Sequence, residues 1–345
     1  MPLATELTSG ILERSGLKDD EEMQAWLADF KHRLVTAEGA DLNAFRLNIE
    51  QLFDFARYDE ELWRMKQQQS PVGREYGDTP WNKADNISDW LGYMEEELSH
   101  VIWEAQKQAN LEPIGRFTDQ LSDADTILSF NYDTLVETAL SARGHTWNHG
   151  LNDRDNGGVT ILKMHGSVDW ILLKRGLETQ QKNFVKLFSK KDENVDEHKA
   201  QAPQEEEYAW ELWRGKDSST CNAIIDMDKS GLSNFRYFLG LAGLGRYKPL
   251  HALPGSAQTW LTAFKALSSA DEIYVVGFSM SPYDTMARFH FTSVIHGRPN
   301  PPSKVVTIDP NALRLAETIS VVFGRNLTLM AHEAQKVDWQ RTFGR

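Results

Sequence analysis

Two short segments of the chain hold the side chains best suited to chemistry. Ser129-Phe130-Asn131-Tyr132-Asp133-Thr134-Leu135-Val136-Glu137 offers an amide and a carboxylate two positions apart. Met164-His165-Gly166-Ser167-Val168-Asp169 offers an imidazole beside a glycine and a hydroxyl. Each follows a short apolar run, Thr126-Ile127-Leu128 and Val159-Thr160-Ile161-Leu162, that reads as a buried strand. The pattern therefore sets Asn131, Asp133 and His165 at the carboxyl ends of two strands, the edge at which open α/β sheets bind ligands. There an imidazole that titrates near neutrality can take or return a proton. The amide and carboxylate can orient a ligand or a water.

Each of these residues also has a purely structural reading. Asp133 precedes the helical run Leu135 to Leu140 and suits an N-cap. Asn131 suits a turn with unusual backbone angles, and His165 a strand-end histidine satisfied by backbone. The dipeptide His-Gly stands at His149-Gly150, His165-Gly166 and His296-Gly297, so by itself it carries little information. Only the central copy follows a strand-like run and precedes a small hydroxyl residue, Ser167.

Two later segments extend the set. Ile273-Tyr274-Val275-Val276-Gly277-Phe278-Ser279, with Asp284 soon after, reads as a strand, a glycine and a hydroxyl ahead of a helix. That arrangement suits contacts to phosphate or ribose through backbone N–H groups. Val305-Val306-Thr307-Ile308-Asp309-Pro310-Asn311 ends a late strand on an acid, a group suited to ribose hydroxyls. Gly240-Leu241-Ala242-Gly243-Leu244-Gly245 lacks the glycine order of the dinucleotide fingerprint, and reads as a loop.

The elements that must position these groups follow from periodicity. Apolar residues at helical spacing predict helices over Asp19 to Val35, Asp41 to Phe55 and Asp85 to Ala109. Their aromatic residues lie on the buried stripe. Between the second and third of these, Gln67 to Trp81 is rich in proline and glycine and reads as a loop. Short β-branched runs at Thr126 to Phe130, Thr160 to Met164, Ile273 to Val276 and Val305 to Ile308 read as strands. They alternate with helical stretches at Thr134 to Ala142, Gln258 to Leu267, Thr285 to Ile295 and Ala312 to Val321. Such alternation predicts an α/β fold with a Rossmann-like, doubly wound parallel sheet. The organisation expected is a mainly helical module over residues 1–118, inserted in a nucleotide-binding core of residues 119–175 and 221–335. Residues 176–220 form a charged insertion or flap, with dense charge and little apolar periodicity.

Composition narrows the classes. With 345 residues the chain can bury a large core. No apolar stretch approaches the length of a membrane span, so no membrane partner is expected. The first residues lack a signal-peptide pattern, and Cys221 is the single cysteine, which leaves no internal disulfide and no cysteine-rich zinc site. A cytoplasmic protein without a metal is the expectation. The net charge of −13 argues against nucleic acid as a direct ligand.

Taken together, Phe130-Asn131-Tyr132-Asp133, His165-Gly166, Gly277-Phe278-Ser279 and Ile308-Asp309 resemble, in the same order, the motifs of the sirtuin family. The match is nearest its bacterial branch of sirtuin-like NAD-hydrolysing defence proteins. The resemblance runs from Leu121 to about Met330, apart from the charged insertion. In sirtuins a Gln-Asn-Ile-Asp segment holds nicotinamide and its ribose, and a His-Gly pair supplies the catalytic histidine. Gly-Thr-Ser meets ribose and phosphates, and Ile-Asn meets the adenosine ribose. The resemblance implies Asn131, His165 and Asp133 as catalytic residues. It implies Phe130, Tyr132, Gly166, Ser167, Gly277, Ser279, Asp284, Asp309 and Asn311 as contacts to NAD.

Departures from the family pattern sharpen the expectation. The zinc-binding cysteine pairs of sirtuin deacylases have no counterpart, and Phe130 stands where those enzymes carry glutamine. Both point to cleavage of NAD as a substrate, not to deacylation. The family's Gly-Ala-Gly-x-Ser loop, which cradles the diphosphate, has no match, and Met1 to Leu7 is similar to the stretch just beyond it. The expectation is either that the chain starts a strand and a loop late or that the phosphate loop has been lost. The implied activity is an NAD glycohydrolase of antiviral defence by abortive infection, held inactive until triggered. The alternative is a non-catalytic nucleotide-binding scaffold or sensor subunit. A homo-oligomer is expected, working in some cases with a HerA-type ATPase.

Overall fold

The structure is a computed structural model. It describes residues 4–14, 18–38, 49–69, 80–150, 157–174, 197–198, 210–214, 237–241, 256–278, 284–324 and 327–344. The chain divides into two compact units, Met1–Gln108 with Gly243–Tyr247, and Ala109–Ala242 with Lys248–Arg345.

The described part of the first unit is helical: α1 (Ala4–Leu12), α2 (Glu21–Glu38), α3 (Ile49–Gln69) and α4 (Pro80–Lys107). Asp20 caps α2 by accepting from the Met23 N–H at 2.8 Å, and Pro80 opens α4 at a position where a missing N–H costs nothing. The apolar stripes meet in a core that includes Met23, Phe30, Leu52, Phe53, Met94 and Leu98, each at most 3% exposed. Trp26 stacks on Phe30 and donates its indole N–H to Asp59 at 3.2 Å. Phe30, Phe53, Trp90 and Trp103 of these helices thus serve packing, whereas Phe55, Tyr58 and Tyr93 are exposed. Of the predicted loop between α3 and α4, Gln67 to Gln69 continue α3 and Pro80-Trp81 begin α4. Good helix formers, Ala56, Arg57, Glu60, Glu61, Leu62, Met65 and Lys66 followed by three glutamines, carry α3 beyond the expected end at Phe55. Leu42, Phe45 and Leu47 lie outside the described residues.

The second unit is mixed α/β. In chain order it holds α5 (Glu112–Thr118), β1 (Thr126–Ser129), α6 (Leu135–Ala142), β2 (Trp147–Asn148), β3 (Val159–Lys163) and β4 (Gly166–Lys174). Then come β5 (Glu197–His198), β6 (Trp210–Arg214), β7 (Tyr237–Leu241), α7 (Ser256–Ser269), β8 (Glu272–Val276) and α8 (Thr285–Gly297). The unit ends with β9 (Lys304–Ile308), α9 (Ala312–Phe323), β10 (Leu327–Met330), a 3-10 turn at Ala334–Lys336 and α10 (Trp339–Phe343).

Two small sheets are parallel, in the orders β1-β3-β2 and β10-β9-β8. In the first, Thr126 pairs with Thr160 and Ser129 with Lys163. In the second, Val276 pairs with Ile308. The strands of the second sheet are joined through α8 and α9, the crossover that parallel neighbours require. Leu162 of β3 shares one core cluster with Ile273 and Val275 of β8 and Val305 of β9, built around Trp260 and Phe291. Packing therefore unites the two parallel sheets, although no described strand bridges them by hydrogen bonds.

The third sheet is antiparallel, in the order β5-β6-β4-β7. Local sequence did not announce it. Its strands β5 and β6 come from within the charged stretch read as an insertion, and Gly240 and Leu241, read as a loop, lie in β7. Strand preference depends on the partner more than on the segment, and here the partner of β6 and β7 is β4, far off in sequence, while β5 pairs with β6.

Two glycines are required by the backbone. Gly166, at φ 77°, lets the chain leave β3 and enter β4 directly. Gly158 enters β3 at φ 88°, and a Cβ there would lie 2.4 Å from the backbone of Thr146. Gly158→Ala combines left-handed strain with a clash that no side-chain movement relieves. It is expected to cost about 2 kcal/mol or more, read as a lower denaturant midpoint at unchanged slope.

Candidate functional site

The site is assembled at the carboxyl ends of β1, β3, β8 and β9. β1 stops at Ser129, and the next five residues form a tight connection to α6. Four contacts hold that connection. The Val168 N–H of β4 donates to the Tyr132 carbonyl at 2.9 Å, joined by the Ser167 hydroxyl at 3.4 Å. The Lys163 ammonium donates to the Asp133 carbonyl. The Asp133 carboxylate accepts from the Leu135 N–H at 3.1 Å, closing the turn into α6. Asn131 is left exposed at the tip, its N–H 3.3 Å from the Ser129 hydroxyl.

His165 emerges directly after β3 and is 4% exposed. Its Nε2 lies 3.2 Å from Asp284 Oδ1, and the Asp284 side chain is equally buried. Asp284 occupies the N-cap position of α8, yet its side chain makes no cap hydrogen bond. The carboxylate is directed at the imidazole, not at the helix end. A carboxylate on one ring nitrogen fixes the tautomer and orientation and stabilises the imidazolium formed on proton uptake. Aromatic rings complete the enclosure. Phe130 meets His165 edge-on at 5.0 Å between centroids, and Tyr132 lies 5.9 Å from it. Phe130 also stacks on Phe278 at 4.2 Å and 14°, which ties the end of β1 to the end of β8.

The Gly277 N–H donates to the Ile308 carbonyl at 2.9 Å, bringing the β8 and β9 ends together. Asp309, half-buried, accepts from the Asn311 N–H at 2.7 Å through Oδ1, so part of its carboxylate closes the turn into α9. Asn311 is exposed at the N-cap of α9 without a side-chain cap bond.

The predicted residues fall into groups. Phe130 and Tyr132 each make ring contact with His165, and Asp284 joins them as the partner of His165, a pairing that spacing did not reveal. Asp133 and Ser167 are buried and serve the connection, the first as the turn-closing acid that its position before a helix allowed. Gly166 serves the passage from β3 into β4. Gly277, Asp309 and Asn311 mark the adjoining ends of β8 and β9. Ser279 lies outside the described residues. The other His-Gly copies are structural. His149, 1% exposed, donates to the Ile161 carbonyl at 2.8 Å, and His296 to the Val321 carbonyl at 2.9 Å.

Sequence reading missed Lys163 and Glu137, a buried ion pair at 3.4 Å beside the site. The available signal was a lone cation ending an otherwise apolar, buried strand. Among the described residues no group of His, Cys, Asp and Glu is arranged to hold a metal, and no helix is long and apolar enough to cross a membrane. An open cleft of about 500 Å³ between α5 and the C-terminal elements, lined by Arg116, Asp119 and Trp339 among others, contains none of these residues. No protein-family model matches the chain, and no curated protein matches it significantly.

Proposed function

We propose that the chain is an NAD glycohydrolase whose nucleotide lies across the carboxyl ends of its parallel strands, in a Rossmann-like arrangement. The observation that carries this reading is the buried His165–Asp284 pair, with the rings of Phe130 and Tyr132 against the imidazole and Asn131 exposed between them in sequence. In the reaction the bond between the nicotinamide nitrogen and the ribose carbon breaks. The bonding electrons stay on nicotinamide, which leaves neutral, and an oxocarbenium-like sugar forms. Water then attacks the sugar and gives up its proton, for which His165 is the acceptor. Asn131 orients the carboxamide or the water, and Asp133 shapes the nicotinamide end by fixing the connection. Gly277, Asp309 and Asn311, with Ser279, position the rest of the dinucleotide. Positioning supplies much of the rate in such a site.

By the same resemblance the protein acts in antiviral defence as a homo-oligomer, with a HerA-type ATPase as the kind of partner expected. A scaffold or sensor subunit is the second reading. It is favoured by the structural duties of Asp133 and Asp309, whose carboxylates both close turns.

Chromatographic detection of nicotinamide released from NAD separates the two. Asn131→Ala changes an exposed side chain, so stability stays within about 0.5 kcal/mol, while kcat is expected to fall about 10²-fold or more. Turnover equal to wild type in Asn131→Ala would remove Asn131 from the mechanism. Calorimetric binding of NAD without any nicotinamide release would establish the scaffold reading.

A further inference from the structure

The Lys163–Glu137 pair is not needed to build the sheet. Lys163 ends β3, beside Ser129 of β1, and both charged side chains are nearly sealed from solvent, at 1% and 3% exposure. Burying two charges costs as much as their attraction returns, and a buried ion pair is weak evidence for stability. Its location is more informative. Lys163 stands two residues before His165 in the chain, and Glu137 lies in the first turn of α6. The ammonium spans from β3 to the connection between β1 and α6, where it donates to the Asp133 carbonyl. The same connection carries Asn131 and Tyr132.

We propose that Lys163 and Glu137 are positioning residues that hold the 130–134 connection in register with His165. Glu137 neutralises the ammonium and fixes its direction; Lys163 spends its hydrogen bond on a backbone carbonyl that neither sheet nor helix satisfies. The cation thereby ties the imidazole strand to the amide-bearing connection through one side chain. Neither residue touches substrate in this scheme. The kinetic part of the proposal rests on the glycohydrolase reading, and the structural part does not.

Removing one partner alone would strand the other charge and risk unfolding, so the decisive variant is the double replacement Lys163→Met with Glu137→Leu. The two apolar side chains fill the same space and leave no buried charge. Hydrogen exchange followed by mass spectrometry is read on peptides covering 129–138 and, as a control, 304–323. The folded double variant is expected to exchange on the order of tenfold faster in the first and unchanged in the second. Nicotinamide release should lose about 10–100-fold in kcat with KM within about threefold, the signature of misplaced groups. Wild-type exchange over 129–138 in the folded double variant would overturn the proposal, as would full kcat. A wild-type chain that exchanges as expected but never cleaves NAD would defeat the glycohydrolase reading alone.

Discussion

Replacing His165 with glutamine is expected to lower kcat for nicotinamide release by about 10²–10⁴-fold, the range that proton transfer by a positioned side chain contributes. Glutamine is the informative choice because His165 is buried against Asp284 and two aromatic rings. An alanine would leave a cavity and a carboxylate without its partner, mixing a folding defect with a chemical one. Glutamine fills most of the volume and can donate to Asp284, but it cannot accept and return a proton near neutrality. Asp284→Asn is the companion variant. It preserves shape while removing the charge that stabilises an imidazolium, and a fall in kcat of the same order at nearly unchanged KM is expected. Stopped turnover assays with both variants across pH check the pair. Undiminished kcat in His165→Gln would end the assignment of His165 as base. A raised KM at unchanged kcat in Asp284→Asn would make Asp284 a binding group instead.

The largest effect on stability is expected from Trp260→Ala. Trp260 is 1% exposed and stands in the cluster that joins Leu162 of β3 to Ile273, Val275 and Val305 of the other parallel sheet. Truncating a buried tryptophan costs about 3–5 kcal/mol. Here the loss falls on the apolar cluster shared by the two sheets, which no backbone ladder joins. The second unit should therefore unfold at a markedly lower denaturant concentration, while the helical unit keeps its own transition. Urea unfolding followed by far-ultraviolet circular dichroism and by hydrogen exchange in each unit measures this. A shift below about 1 kcal/mol would mean that the sheets are held together by something other than this cluster.

The longer helices and the strands β1, β3, β8 and β9 were legible in the sequence, whereas α1, α5, β2, β10 and α10 were not. Val159 to Lys163 and Lys304 to Ile308 are β-branched runs, and their observed bounds lie within a residue of those predicted. Helices α7 to α9 follow apolar spacing in the same way. The antiparallel sheet was not legible, because β5 and β6 are short strands within a charged stretch, β6 pairing with the distant β4 and β5 with β6. Of the site, the sequence pointed to His165 over His149 and His296 by context alone, and the structure gives those two to backbone carbonyls.

Local chemistry by itself determined where strands end, and hence that Asn131, Asp133 and His165 emerge at strand termini. That information is contained in runs of five to ten residues, the range over which periodicity and turn residues act. Which carboxylate meets which cation was decided only by tertiary structure. Asp284 reaches His165 and Glu137 reaches Lys163 because α8 and α6 begin where β3 ends. A carboxylate at a helix start has an equally good local alternative in capping its own helix. Asp133 takes a local option of that kind, closing the turn one residue ahead of Thr134, the N-cap of α6, and Asp284 does not. The difference lies in the imidazole that packing brings within 3.2 Å of Asp284, a neighbour that no local stretch of sequence contains.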